Sequence, residues 1–155
     1  MTQKEIELKM FRLNAEYTKR SHEIGRKKQD VAMRRQEDML HADDVFHAEK
    51  RLMIDRIGSL RKEKAALFDG DPKKDRLEAE ARAIKADISM LCCENDRRKR
   101  AIIHKAYIDR CALDEESRQL VEWLQAEKTK VLEEKQEQAC RCIIYDRDHN
   151  PYPEE

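Results

Sequence analysis

The sequence predicts an all-α chain: an elongated, coiled-coil-like antiparallel helical hairpin. Three observations carry this. Apolar residues recur on steps of three, four and seven along most of the length, the spacing of one helix face. Strand formers and turn residues are scarce, with three Gly and three Pro among 155 residues. Helix-stopping and helix-starting residues stand together at one place before the tail, in Leu67-Phe68-Asp69-Gly70-Asp71-Pro72-Lys73-Lys74. There Gly70 suits the left-handed position just past a helix end, Asp71 an N-cap and Pro72 the first helical position, where its missing N–H costs nothing.

In chain order, Thr2 with Glu5 forms a capping-box pattern, so arm one is expected over about 3–68. Ile6, Met10, Leu13, Tyr17, Ile24 and Val31 mark its seam, with Arg20, Lys27 and Arg34 interrupting it. Apolar density rises from Met39 to Phe68, a stretch wide enough to touch more than one neighbour. Gly25 and Gly58 each weaken a helix by ~1 kcal/mol relative to Ala, a tolerable cost in an arm of this length. The turn is expected at 69–72, with Asp69, Gly70, Asp71 and Pro72 as the hinge.

Arm two is expected over about 72–143, with Leu77, Ala81, Ile84, Ile88, Leu91, Ile102, Leu113, Leu120, Leu124 and Val131 on its stripe, interrupted by Asn95 and Arg98. A second start signal lies at Asp114, and breaks near residues 41 and 113 would fold the arms back into a bundle. The hairpin is thus expected over 1–145. Residues 146–155, with Asn150-Pro151 and Pro153, read as a flexible C-terminal tail.

Folding about Gly70 and Asp71 sets residue i opposite roughly residue 143 minus i. Charges test this register. It sets the basic run Arg97, Arg98, Lys99 and Arg100 against Asp43 and Asp44, and Arg26 to Lys28 against Glu115 and Glu116. Apolar residues also meet: Ile24 with Leu120, Leu13 with Val131, Leu60 with Ile84, Met53 with Leu91. This is the flanking-charge logic of an antiparallel coiled coil.

Composition narrows function. Charged residues make up 43% of the chain, but 33 basic ones balance 33 acidic ones. Balance favours helices laced with ion pairs over a disordered or nucleic-acid-seeking chain. Phosphate contact by Arg97, Arg98, Lys99 and Arg100 is the nucleic-acid alternative. Five cysteines without a framework spacing, and no signal peptide or apolar span, predict a chain without a membrane segment, in the cytoplasm or within a virion or other assembly. Cys140 and Cys142 form a single close pair on a helix, where residues two apart diverge, so neither metal nor cofactor is expected. A two-helix hairpin also has no interior for a catalytic pocket, and no nucleophile motif is present, so no enzyme activity is expected.

The hinge acids Asp69, Asp71 and Asp75 stand at the end of a stalk. In this the chain resembles the acidic-tipped coiled-coil factors that insert a hairpin into the secondary channel of RNA polymerase. That resemblance covers the loop and the hairpin outline only. It implies a polymerase-associated regulator, whereas Lys73 and Lys74 neutralise the tip and the globular or zinc-finger domain of those factors is missing. In length and periodicity the chain is also similar to charged hairpin stalks of type III export machinery.

Phe46, Ile54, Ile103, Tyr107, Ile108, Trp123 and Leu132 leave the arms at angles that a seam cannot cover. They are the candidate protein-interaction residues. The expectation is a non-enzymatic structural or adaptor protein that presents helical surfaces for self-association or protein partners within a larger complex, of phage or secretion type.

Overall fold

The computed structural model describes residues 2–149, with side chains described through Cys142. It is an all-α helical hairpin. Helix α1 spans Gln3–Ala65 and α2 spans Pro72–His149, and there is no strand among the described residues.

The capping box at the start of α1 is reciprocal. Thr2 N–H donates to Glu5 Oε2 at 2.7 Å, and Glu5 N–H donates to Thr2 Oγ1 at 3.2 Å. Two of the donors left over at a helix start are thereby satisfied. At the other end α1 stops at Ala65, three residues before the expected 68. Ala66 N–H is shared between the carbonyls of Lys62 and Glu63, and Leu67 N–H reaches Lys64 O at 3.2 Å, which tightens the last turn. Leu67 then packs against the cluster of Leu60, Leu77 and Ala81, so burial of its side chain takes the chain off the helix path early.

Gly70 is left-handed, with φ of 89°, but its place differs from the expectation. It is the third residue of a four-residue turn closed by Asp71 N–H to Phe68 O at 3.2 Å, not the residue that ends α1. A positive φ at that position is what a type II turn demands. Asp71 caps α2 as expected: its Oδ1 accepts from Lys73 N–H at 2.9 Å, and its carbonyl accepts from Lys74 N–H at 3.0 Å.

Helix α1 runs unbroken through His41, and α2 through Asp114. The start signal at Asp114 is spent elsewhere, since its carboxylate pairs with Lys28 at 2.7 Å. Helix α2 also continues to His149, beyond the expected end near 143. No Gly or Pro interrupts it between Pro72 and His149. The tail expected over 146–155 lies, from residue 150 on, outside the described residues.

Packing divides the chain into two units, one formed by the segments up to Gln29 and from Arg110 onward, the other by Asp30–Asp109. In the first, Ile6, Ile24, Leu113, Leu120 and Val131 are buried. In the second, Ala42, Ile57, Leu60, Leu77 and Ala81 are, with Leu60 at 1% exposure the most enclosed. Burying such a side chain contributes about 1.5–3 kcal/mol.

Candidate interaction surfaces

Within each unit the two helices run antiparallel in the expected register. In the first unit Lys9 pairs with Glu134 at 3.1 Å and Lys27 with Glu116 at 3.9 Å, each pair adding to 143. Arg20 and Trp123 also add to 143, and the guanidinium stacks 4.6 Å from the indole centroid while Glu16 holds it at 2.6 Å. In the second unit Lys64 pairs with Glu78 at 2.6 Å, Lys99 pairs with Asp43, and Ile84 packs on the Leu60 cluster.

Where the seam was expected to thin, Arg20 and Lys27 flank it instead. The half-buried positions there are Ser21, Glu23, Lys28 and Val31. Arg20, Ile24 and Lys27 face Glu116, Leu120 and Trp123 across an open groove of about 400 Å³. A second concavity, of about 620 Å³, is bordered by α1 residues alone around Gly25. Neither has walls that would exclude water from a reacting group.

Electrostatics follow the pairs. A hydrogen bond from Lys99 holds the Asp43 carboxyl below its ordinary value, partly opposed by desolvation. Lys64 does the same for Glu78, and Lys28 for Asp114. These groups remain in contact with water, so they select register more than they stabilise it.

Asn95 is the buried polar residue of the seam, 7% exposed. Its side chain hydrogen-bonds Asp43, while its Oδ1 is enclosed without a partner. Sequence reasoning saw Asn95 only as an interruption of the stripe. The signal was present in its position, four residues after Leu91 and four before Lys99.

The basic run does not form one patch. Successive residues of a helix point 100° apart, and the four separate accordingly: Lys99 turns inward to Asp43, while Arg97, Arg98 and Arg100 are exposed. Two of the three hinge acids, Asp69 and Asp71, are occupied locally. Asp71 caps α2, and Asp69 takes Lys74 Nζ at 3.0 Å.

Of the expected interaction residues, Ile54, Ile103, Tyr107, Ile108 and Leu132 are exposed. Phe46 and Trp123 are half-buried, each beneath a cation, Lys50 at 5.6 Å from the Phe46 ring and Arg20 over Trp123. Leu8, Phe11, Met33, Leu40, Leu52, Met90 and Val121 are exposed as well. Leu40 and Leu52 belong to the dense stretch of arm one, where apolar density alone did not reveal which residues point away. Phe68, 73% exposed, lies in the turn.

Among the described residues, no group of three or more His, Cys, Asp or Glu is placed to hold a metal ion, and no helix is long and apolar enough to cross a membrane. All five cysteines are free thiols. Comparison with protein-family models, with curated proteins and with solved structures finds no match.

Proposed function

We propose that this chain is a non-enzymatic structural or adaptor protein that presents helical surfaces to protein partners within a larger complex. One observation carries the reading: among the described residues, more large apolar side chains stand exposed than are buried. Single exposed leucines are ordinary, but exposure on this scale is what docking surfaces account for. Free thiols suit a reducing compartment, the cytoplasm or the interior of an assembly.

The test is affinity capture of the full chain from its native source, beside light scattering of the purified protein. Protein partners or a mass that rises with concentration are expected. A monomer without protein partners would overturn the reading. Nucleic-acid binding that weakens steeply with salt and is lost when Arg97, Arg98 and Arg100 become Ser would replace it.

A further inference from the structure

We infer that this chain pairs with a second copy of itself along α1, the two α1 helices antiparallel and related by a two-fold axis near Ile24 and Gly25. The inference rests on the assembly reading above and names one partner. Both features that carry it belong to α1, a single unbroken helix over these residues. The first is a stripe without charge. In a chain 43% charged, steps of three and four from Leu8 to Leu40, by way of Phe11, Ala15, His22, Gln29 and Met33, meet no Asp, Glu, Lys or Arg. Residues so spaced share one helix face. All of them are exposed, so the seam with α2 does not use this face. Phe11 is 70% exposed, and Leu8, Met33 and Leu40 are large apolar residues turned to solvent as well.

The second is the order of charges beside the stripe. Arg12, Lys19 and Arg26 follow one another at steps of seven, and Glu23, Asp30 and Glu37 do the same on the same flank. Glu23 is half-buried and the other five are exposed. Among the described residues none of the six enters an ion pair within the chain. An antiparallel two-fold sets residue i against roughly residue 49 minus i of the other copy, and each flank against the same flank. Arg12 then meets Glu37, Lys19 meets Asp30 and Arg26 meets Glu23, each contact occurring twice. Lys9 and Glu16, also on this flank, are engaged by Glu134 and Arg20, and they meet the uncharged Leu40 and Met33. Glu5 and Asp44 form the one like-charged pair of the flank, at its ends, and Glu5 is held by Thr2 N–H. On the other flank Glu7, Lys28 and Arg35 meet Ala42, Ser21 and Asn14, so like charges do not meet there.

The same alignment stacks the stripe. Leu8 lies on Leu40, Ala15 opposite Met33 and His22 opposite Gly25, a large residue against a small one in the last two. A parallel pair would set the charged flank against the opposite one, where Asn14 and Ser21 carry no charge. An unrelated partner would place no condition on how the signs are ordered along α1. Cations in one half and acids in the other, at matching distances from one mid-point, are what pairing with its own copy requires, and this selects a second copy as the occupant. The contact joins the same patch on both copies, so it closes after two.

Sedimentation of the full-length protein tests this with two charge reversals. One variant combines Arg12→Glu with Lys19→Glu, and the other Asp30→Lys with Glu37→Lys. All four side chains are exposed, and circular dichroism checks that both variants remain helical. The wild type is expected to approach the mass of two copies as concentration rises and to dissociate with salt. Each variant alone should associate about a hundredfold more weakly, since both altered pairs occur twice. Mixing the two should restore wild-type association, because every altered contact is again between opposite charges. Phe11→Ser should weaken association without changing its salt dependence. In a background freed of native cysteines, Ala15→Cys mixed with Met33→Cys should form a disulfide between copies, whereas Ala15→Cys alone should not. Reversals that leave the mass unchanged, a mixture no larger than its parts, or cross-linking of Ala15→Cys to itself overturn the proposal. A wild type that stays monomeric yet captures a protein from its source overturns self-pairing and leaves the wider reading standing. One that does neither overturns both.

Discussion

Asn95 sits where an apolar residue would pack better. An enclosed acceptor without a partner costs about 1–3 kcal/mol, and the hydrogen bond to Asp43 offsets part of that. Asn95→Leu is therefore expected to raise the thermal midpoint, and Asn95→Asp, which sets a second carboxylate beside Asp43, to lower it; a calorimetric scan of both variants decides. A lone buried Asn in a helical seam favours one register over its neighbours at some expense of stability. Asp43, its partner, has a folded pKa below its unfolded one, as do Glu78 and Asp114. Stability from such groups is present above the unfolded values and is lost as pH falls through the folded ones. Urea midpoints should thus decline below about pH 4, near the ordinary aspartate value of 3.8. Lys99→Met, which leaves Asp43 without its cation, should be less stable than wild type at neutral pH, and the gap should close as the pH falls.

At the scale of the helix, the caps were the most legible features, because a cap depends on a few adjacent residues. Thr2 with Glu5, and Asp71 with Pro72, do what their spacing implies. The end of α1 was not legible, because the pull of Leu67 toward Leu77 comes from a different helix. Two glycines separate local from tertiary causes. Gly70 has a φ that L-residues rarely adopt, so Gly70→Ala should destabilise by about 1 kcal/mol. Gly58 is helical with open space around it, so Gly58→Ala should stabilise the isolated chain by about 0.5–1 kcal/mol. Chemical denaturation in dilute solution, below any association, reads both signs.

For the molecule as a whole, one turn and two periodic arms sufficed to set the register, because the alignment the turn imposes joins apolar to apolar and basic to acidic along both arms. Two engineered pairs test it in a background freed of native cysteines. Leu60→Cys with Ile84→Cys should cross-link within one chain in the second unit, and Ile24→Cys with Leu120→Cys in the first. Loss of both while pairs shifted by one turn cross-link would show a different register. Less legible was the division of each unit into sides. Arg97 to Arg100 look like one patch when read in a line, and Leu40 and Leu52 look like core. Their directions emerge only once the partner helix fixes which way each arm is turned. A partner outside the chain leaves a still weaker trace in its sequence, in the form of apolar residues the seam does not use.

The short Ala66–Asp71 connection also orders events in time. Lys64 and Glu78 are 14 residues apart in sequence, whereas Lys9 and Glu134 are 125 apart. Closing the longer loop first costs about 2 kcal/mol more in chain entropy, at ~0.6 kcal/mol for each doubling of length. Folding therefore zips outward from the turn, each new contact shortening the loop that the next must close. Residues near the turn become the nucleus, and changes there slow folding, while changes in the segments before Gln29 and after Arg110 act mainly on how fast the chain opens.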